Sequence, residues 1–188
     1  MAPHEAALPL AEWEGFYVII GTSAAALTGL MFVVIAVVAD SGPRSATPLS
    51  IAGFITPTIV HFCAALLLSA IVSAPWPRHF ELQIAVGLTG LGGLIYAIAV
   101  WRRLRGVKSY TKVLEDWVWH VALPLLAYAA TVVAAVALEA ATLLSLFLIG
   151  GTSALLVFIG IHNAWDTVTY VTMQRVQREE EKNEKTGK

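Results

Sequence analysis

Five stretches of this 188-residue chain carry no Lys, Arg, Asp or Glu, and each is long enough to cross a lipid bilayer: Phe16–Ala39, Ile51–Ala74, Leu82–Trp101, Trp117–Leu138 and Ala140–Trp165. A helix of roughly 20 apolar residues covers about 30 Å of hydrocarbon. Backbone amides have no water partner in lipid and must satisfy one another internally, so helices are the expected structure. Composition agrees. Only 13% of residues are charged, against about 25% in a soluble domain, and the mean hydropathy is +0.73. The expected fold class is therefore all-α, an integral membrane bundle of five transmembrane helices over residues 1–166, followed by a charged tail over 167–188. The first stretch has no basic residue before it and is too long for an ordinary signal core, so it is expected to stay as a span.

The basic residues predict an orientation. Arg78 is alone among residues 1–15, 75–81 and 139, whereas Arg44, Arg102, Arg103, Arg105, Lys108, Lys112, Arg175, Arg178, Lys182, Lys185 and Lys188 fall in 40–50, 102–116 and 166–188. The positive-inside rule then places the amino terminus outside and the carboxy terminus in the cytoplasm. Aromatic residues are expected in two interfacial belts, with Trp13, Phe16, Tyr17, Trp76 and Phe80 outside and Trp101, Trp117, Trp119, Trp165 and Tyr170 inside. Thr47-Pro48 reads as the start of the second span. Pro75-Trp76-Pro77 reads as an outer turn. The few residues around Glu139 leave room only for a tight hairpin between spans four and five. From Arg178 onward the tail is charged, without apolar residues, and is expected to fray in solvent.

Small residues recur at helical spacing, as Gly21, Ala25 and Gly29 in span one and Gly87, Gly90 and Gly93 in span three. In lipid, close backbone approach through small residues carries much of helix association, so these two spans are expected to pack most tightly, within the chain or between copies. Gly21-Thr22-Ser23-Ala24 recurs as Gly151-Thr152-Ser153-Ala154, a pattern that a parallel duplication would leave.

Ionisable residues inside spans are functional candidates, because they cost free energy there unless paired. His61 lies about 15 Å into span two, counted from Ile51 at 1.5 Å per residue, whereas His120 and His162 lie about 4.5 Å from the cytoplasmic ends of theirs. That count separates His61 from the other two by about 10 Å. Asp116 with His120 opens span four, and His162 with Asp166 closes span five, each pair spaced i,i+4 on one helix face. Because these spans run antiparallel, the four residues, with Glu115 and Asn163 adjacent, could hold a divalent metal or relay protons, with His61 and Asn163 as further relay residues. The structural alternative is capping by Asp116, a dipole interaction of His162, and pairing of Asp166 with Arg175 or Lys112. Pro57 and Pro124 flank the histidines and are expected to kink their helices.

Two segments, FYVIIGTSAAALTGLMF at Phe16–Phe32 and GIHNAWDTVTY at Gly160–Tyr170, resemble a group of small, uncharacterised bacterial multi-spanning membrane proteins. The resemblance implies a bacterial inner-membrane location and brings no activity or cofactor.

The sequence thus points first to a non-enzymatic helix-packing protein, acting as a homo-oligomer or as an accessory subunit of another membrane protein. A small proton or divalent-cation channel or transporter is the second reading, and a metal-dependent membrane enzyme the third. The motifs of zinc proteases, serine hydrolases and phosphate-binding loops do not occur. The near-neutral charge of -1 argues against nucleic acid as a partner. The bilayer itself is the expected partner, with anionic lipid headgroups at the basic cytoplasmic face.

Overall fold

A computed structural model describes residues 10–40, 55–105 and 117–186. A 3-10 turn, Leu10–Trp13, leads into α1 (Glu14–Asp40). Helices α2 (Thr56–Ser73) and α3 (His79–Arg105) follow. A π-helical turn, Val118–Ala122, runs into α4 (Leu123–Ala137), and α5 (Thr142–Thr186) ends the described chain. No strand occurs among the described residues. Among the described residues, five helices are long and apolar enough to cross a membrane. The residues Thr47-Pro48, Glu115 and Asp116 lie outside the described residues.

The turns follow from local chemistry. Pro75 and Pro77 interrupt the helical ladder after α2, and the Trp76 indole donates back to the Ile71 carbonyl. Arg78 pairs with Glu81 at 2.6 Å across the first turn of α3, where an acidic residue suits the helix dipole. Arg102, Arg103 and Arg105 suit the dipole at its other end. Between α4 and α5 the expected hairpin is present, closed by the Ala141 amide donating to Ala137 O at 2.8 Å and by Thr142 Oγ1 donating to Leu138 O at 2.9 Å.

Helices α2, α3, α4 and α5 each pack on the next and α5 closes back on α2, while α1 lies against both α2 and α5. Helix α5 is the centre. In its apolar window 56% of residues are buried, against 17% in α1 and 22% in α3. Within the chain, then, α1 is the least buried helix, whereas α3 sets its glycine face against α4. In α1 the buried face is Tyr17, Gly21, Ala24 and Met31, whereas Ala25 and Gly29 face outward. Gly21 lies against Ser69 of α2, whereas Gly29 has nothing within 4 Å. Spacing alone placed the three on one stripe, but at 100° per residue the contact with α2 follows the larger neighbours Tyr17 and Met31. In α3 all three glycines face α4: Gly87 meets Ala135, Gly90 meets Thr131 and Val132, and Gly93 meets the Tyr128 ring.

Three further expectations change. Tyr17 belongs to the core rather than an interfacial belt, being 2% exposed. The repeated tetrapeptides occupy unlike places: Thr22 and Ser23 are exposed while Thr152 and Ser153 are buried, so the likeness does not mark equivalent positions. The charged tail continues as helix to Thr186. Its glutamates, lysines and arginines are strong helix formers that extend an existing helix without a new nucleation step.

The outer surface is apolar all round. Ile19, Phe32, Leu88, Ile95, Val136 and Phe158 are all largely exposed. The seat at Gly93 is testable. An added methyl there would run into the Tyr128 ring, whereas Gly92 has nothing within 4 Å. Gly93→Ala should lower stability by about 1–3 kcal/mol through overpacking. Gly92→Ala should be neutral or stabilise by up to about 1 kcal/mol through helix propensity. Thermal unfolding in detergent reads both.

Candidate functional site

Hydroxyl groups in this bundle mostly satisfy themselves. Thr28, Ser69, Thr89, Thr131, Ser153 and Thr167 each donate to the carbonyl one turn back on their own helix. This is the usual solution where a helix offers no water. Imidazoles, phenols and amides have no such local solution, and several of them, His61, His120, His162 and Asn163, lie toward the end of the bundle that carries Arg102, Arg103 and Arg105.

Two interhelical contacts fix the levels. Helices α4 and α5 are antiparallel, and Thr131 Oγ1 lies 3.0 Å from Thr152 Oγ1. Equal counts from that bond toward the basic end bring His120 level with Asn163. The stack of Trp119 on His162, with centroids 3.9 Å apart and planes at 19°, agrees with this register. Helix α2 is also antiparallel to α5, and the Phe62 ring fills the space beside Gly160. The same count then places Thr58 and Ile59 level with Asn163, and His61 within one helical turn of it. By this count the vertical gap between His61 and the other histidines is shorter than the expected distance of about 10 Å. Depth counted from the ends of apolar windows ignores the stagger of neighbouring helices. His61 and His120 lie within electrostatic reach of each other.

At the inner edge of this level, His61 Nδ1 and Tyr128 Oη are hydrogen-bonded at 2.9 Å. Both side chains are enclosed, at 2% and 0% exposure. Tyr128 reaches His61 because Gly93 gives its ring room. His120 is 9% exposed and sits in the π-helical turn, where the Leu123 amide donates to the Val118 carbonyl five residues back. Pro124 follows at once and has no N–H, so the ladder lacks one donor there. The expected kink at this proline thus takes the form of a widened turn, a feature that often marks functional sites. Pro57 lies at the start of the described part of α2 and sits in its first turn, where proline is well tolerated.

Asn163 is fully buried, and neither its amide oxygen nor its nitrogen has a hydrogen-bond partner among the described residues. His162 and Asp166 form the outer edge. Nε2 and Oδ2 are 3.1 Å apart, an ion-pair distance when the imidazole is protonated, though without the alignment of a hydrogen bond. Asp166 therefore has His162 beside it, and α5 runs on to Thr186, so His162 is not at a helix carboxy terminus as the dipole reading required. Among the described residues no three His, Cys, Asp or Glu side chains are grouped to hold a metal ion. The proposed fourth ligand, Asp116, is not among them.

Sequence reasoning missed Tyr128 and Trp119. Tyr128 was legible in principle as a phenol in mid-span, two turns beyond His120. Trp119 was assigned to the interfacial belt with the other tryptophans, and nothing in spacing alone separates a ring that meets lipid from one that stacks on an imidazole.

The His61–Tyr128 pair can be tested by a double-mutant cycle with His61→Phe and Tyr128→Phe. A coupling of about 0.6–1.7 kcal/mol, the range for hydrogen bonds between membrane helices, is expected. Additive losses would show that the bond does not form. No protein family, curated protein or solved structure matches this chain, so the site stands on its own geometry.

Proposed function

We propose that this chain is a multi-pass protein of a bacterial inner membrane, with its amino terminus outside and its carboxy terminus in the cytoplasm, and that its buried histidine level passes protons. Five apolar helices with apolar outer faces support membrane insertion. The concentration of Arg and Lys at one end supports the orientation and favours anionic lipid headgroups there. The resemblance of Phe16–Phe32 and Gly160–Tyr170 to bacterial membrane proteins supports the location.

One observation carries the proton reading: an imidazole and a phenol, both enclosed, bonded across α2 and α4 at 2.9 Å and level with a second buried imidazole. Imidazole both accepts and releases a proton near neutral pH. His162 and Asp166 would form the cytoplasmic mouth, and a small divalent cation is the other permeant this donor set suits. In proteoliposomes carrying a pH-sensitive dye and a potassium diffusion potential, the wild-type protein should acidify or alkalinise the lumen with the sign of the potential. His61→Ala should abolish this. A wild-type flux no greater than that of empty vesicles would refute the reading.

A second reading, assembly through α1, is favoured by Ala25 and Gly29, which face outward with nothing within 4 Å of where a Gly29 side chain would begin. Small residues on an outer face permit close approach by another helix. Native mass in mild detergent should then exceed 20.2 kDa, and Gly29→Leu should return it to the monomer without loss of helicity. A monomeric wild type would exclude this reading.

A further inference from the structure

Asn163 presents a different problem from the histidines around it. Its amide offers two N–H donors and an acceptor oxygen, all buried, and none is met among the described residues. Leaving such a group unpaired in an apolar interior costs several kcal/mol when no partner of any kind is present. Nearby, His61 bonds Tyr128, and His162 lies between Trp119 and Asp166. The position is also enclosed by bulk. The Phe62 ring of α2 fills the space beside Gly160, one turn before Asn163 on α5, and the π-helical turn that carries His120 lies at its level by the count above. A ligand reaching a fully enclosed amide must be small, and must both donate and accept hydrogen bonds. Water meets both conditions, and internal waters characteristically sit on buried polar groups that lack protein partners.

We propose that Asn163 holds an internal water molecule between α2, α4 and α5, and that this water joins the His162–Asp166 mouth to the His61–Tyr128 pair. The second half rests on the proton-passing reading, and the first does not. The water bonded to the Asn163 amide keeps further hydrogen-bonding capacity for its neighbours. It takes a proton onto its oxygen from one side and releases a different proton to the other, so it is regenerated and no electron moves. The amide itself does not titrate. It positions the water without offering a site where a proton would be trapped, which distinguishes an asparagine here from a carboxylate.

The site is read directly by magnetisation transfer from water to side-chain amide protons, in protein labelled with ¹⁵N-asparagine and held in lipid nanodiscs. Wild type should show a water cross-peak to the Asn163 NH₂ pair, identified by its loss in Asn163→Leu. Should that variant not fold, Asn163→Thr serves, because its hydroxyl can bond back to its own helix. A resolved Asn163 amide without a water cross-peak overturns the site. Flux then separates the two claims. If water is present, Asn163→Leu should slow proton flux about tenfold or more, the equivalent of about one lost hydrogen bond in the path. Water at Asn163 with unchanged flux in the variant overturns the link. Water with no flux in wild type leaves the site standing and refutes the proton-passing reading alone.

Discussion

The ring of Tyr128 occupies the space that a side chain at position 93 would fill, and the polar end of the bundle depends on that seat. With a glycine at 93, α3 and α4 approach closely enough to enclose the tyrosine completely. The ring then has one direction left for its hydroxyl, across to His61 on α2. Gly160 does the same for Phe62 and brings α2 against α5. Two glycine–aromatic seats therefore hold four helices in register. Registers set in this way decide which ionisable groups share a level.

The buried polar groups fall into two chemical kinds. Most hydroxyls, such as Ser69, Thr131 and Ser153, return their hydrogens to their own helices and are compatible with a dry interior. Imidazole, phenol and amide groups cannot, and the buried ones run from mid-span at Tyr128 toward the basic end, with Tyr17 near the other end of α1. A bundle whose only task was packing would gain by replacing His61, Tyr128, His120 and Asn163 with apolar residues of similar volume. Their retention is what the proposed proton path would require. The widened turn at His120 adds to this, since a regular helix would have served packing equally well.

The helices and the hairpin were legible in the sequence because apolar length and the absence of charge are local properties. The α3 glycine face was legible too, since Gly87, Gly90 and Gly93 share a face whatever lies opposite. The faces of α1 were not. Gly21, Ala25 and Gly29 satisfy the spacing of a contact stripe, and only the partner helix decides that Tyr17 and Met31 define the buried side. The levels of the histidines failed for a related reason, because the stagger between helices is a tertiary quantity set by the Phe62–Gly160 and Thr131–Thr152 contacts. Asn163 was named in the sequence beside His162, but its unmet amide is visible only when the surrounding helices are in place.

Helix α5 is at once the centre of the bundle and its longest element, running unbroken from Thr142 to Thr186. Asn163 lies near its midpoint, so the helix extends about 35 Å beyond that residue. A straight rod of that length acts as a lever. A tilt of about 5° around Asn163 would move its far end by about 3 Å, and a displacement of that size imposed at the far end would return the same small tilt. Any body that grips the distal turns of α5 would therefore hold a mechanical handle on the helix that carries His162 and Asn163. Whatever sits on that handle shares a rigid coordinate with the polar level, with no hinge between them to absorb the motion.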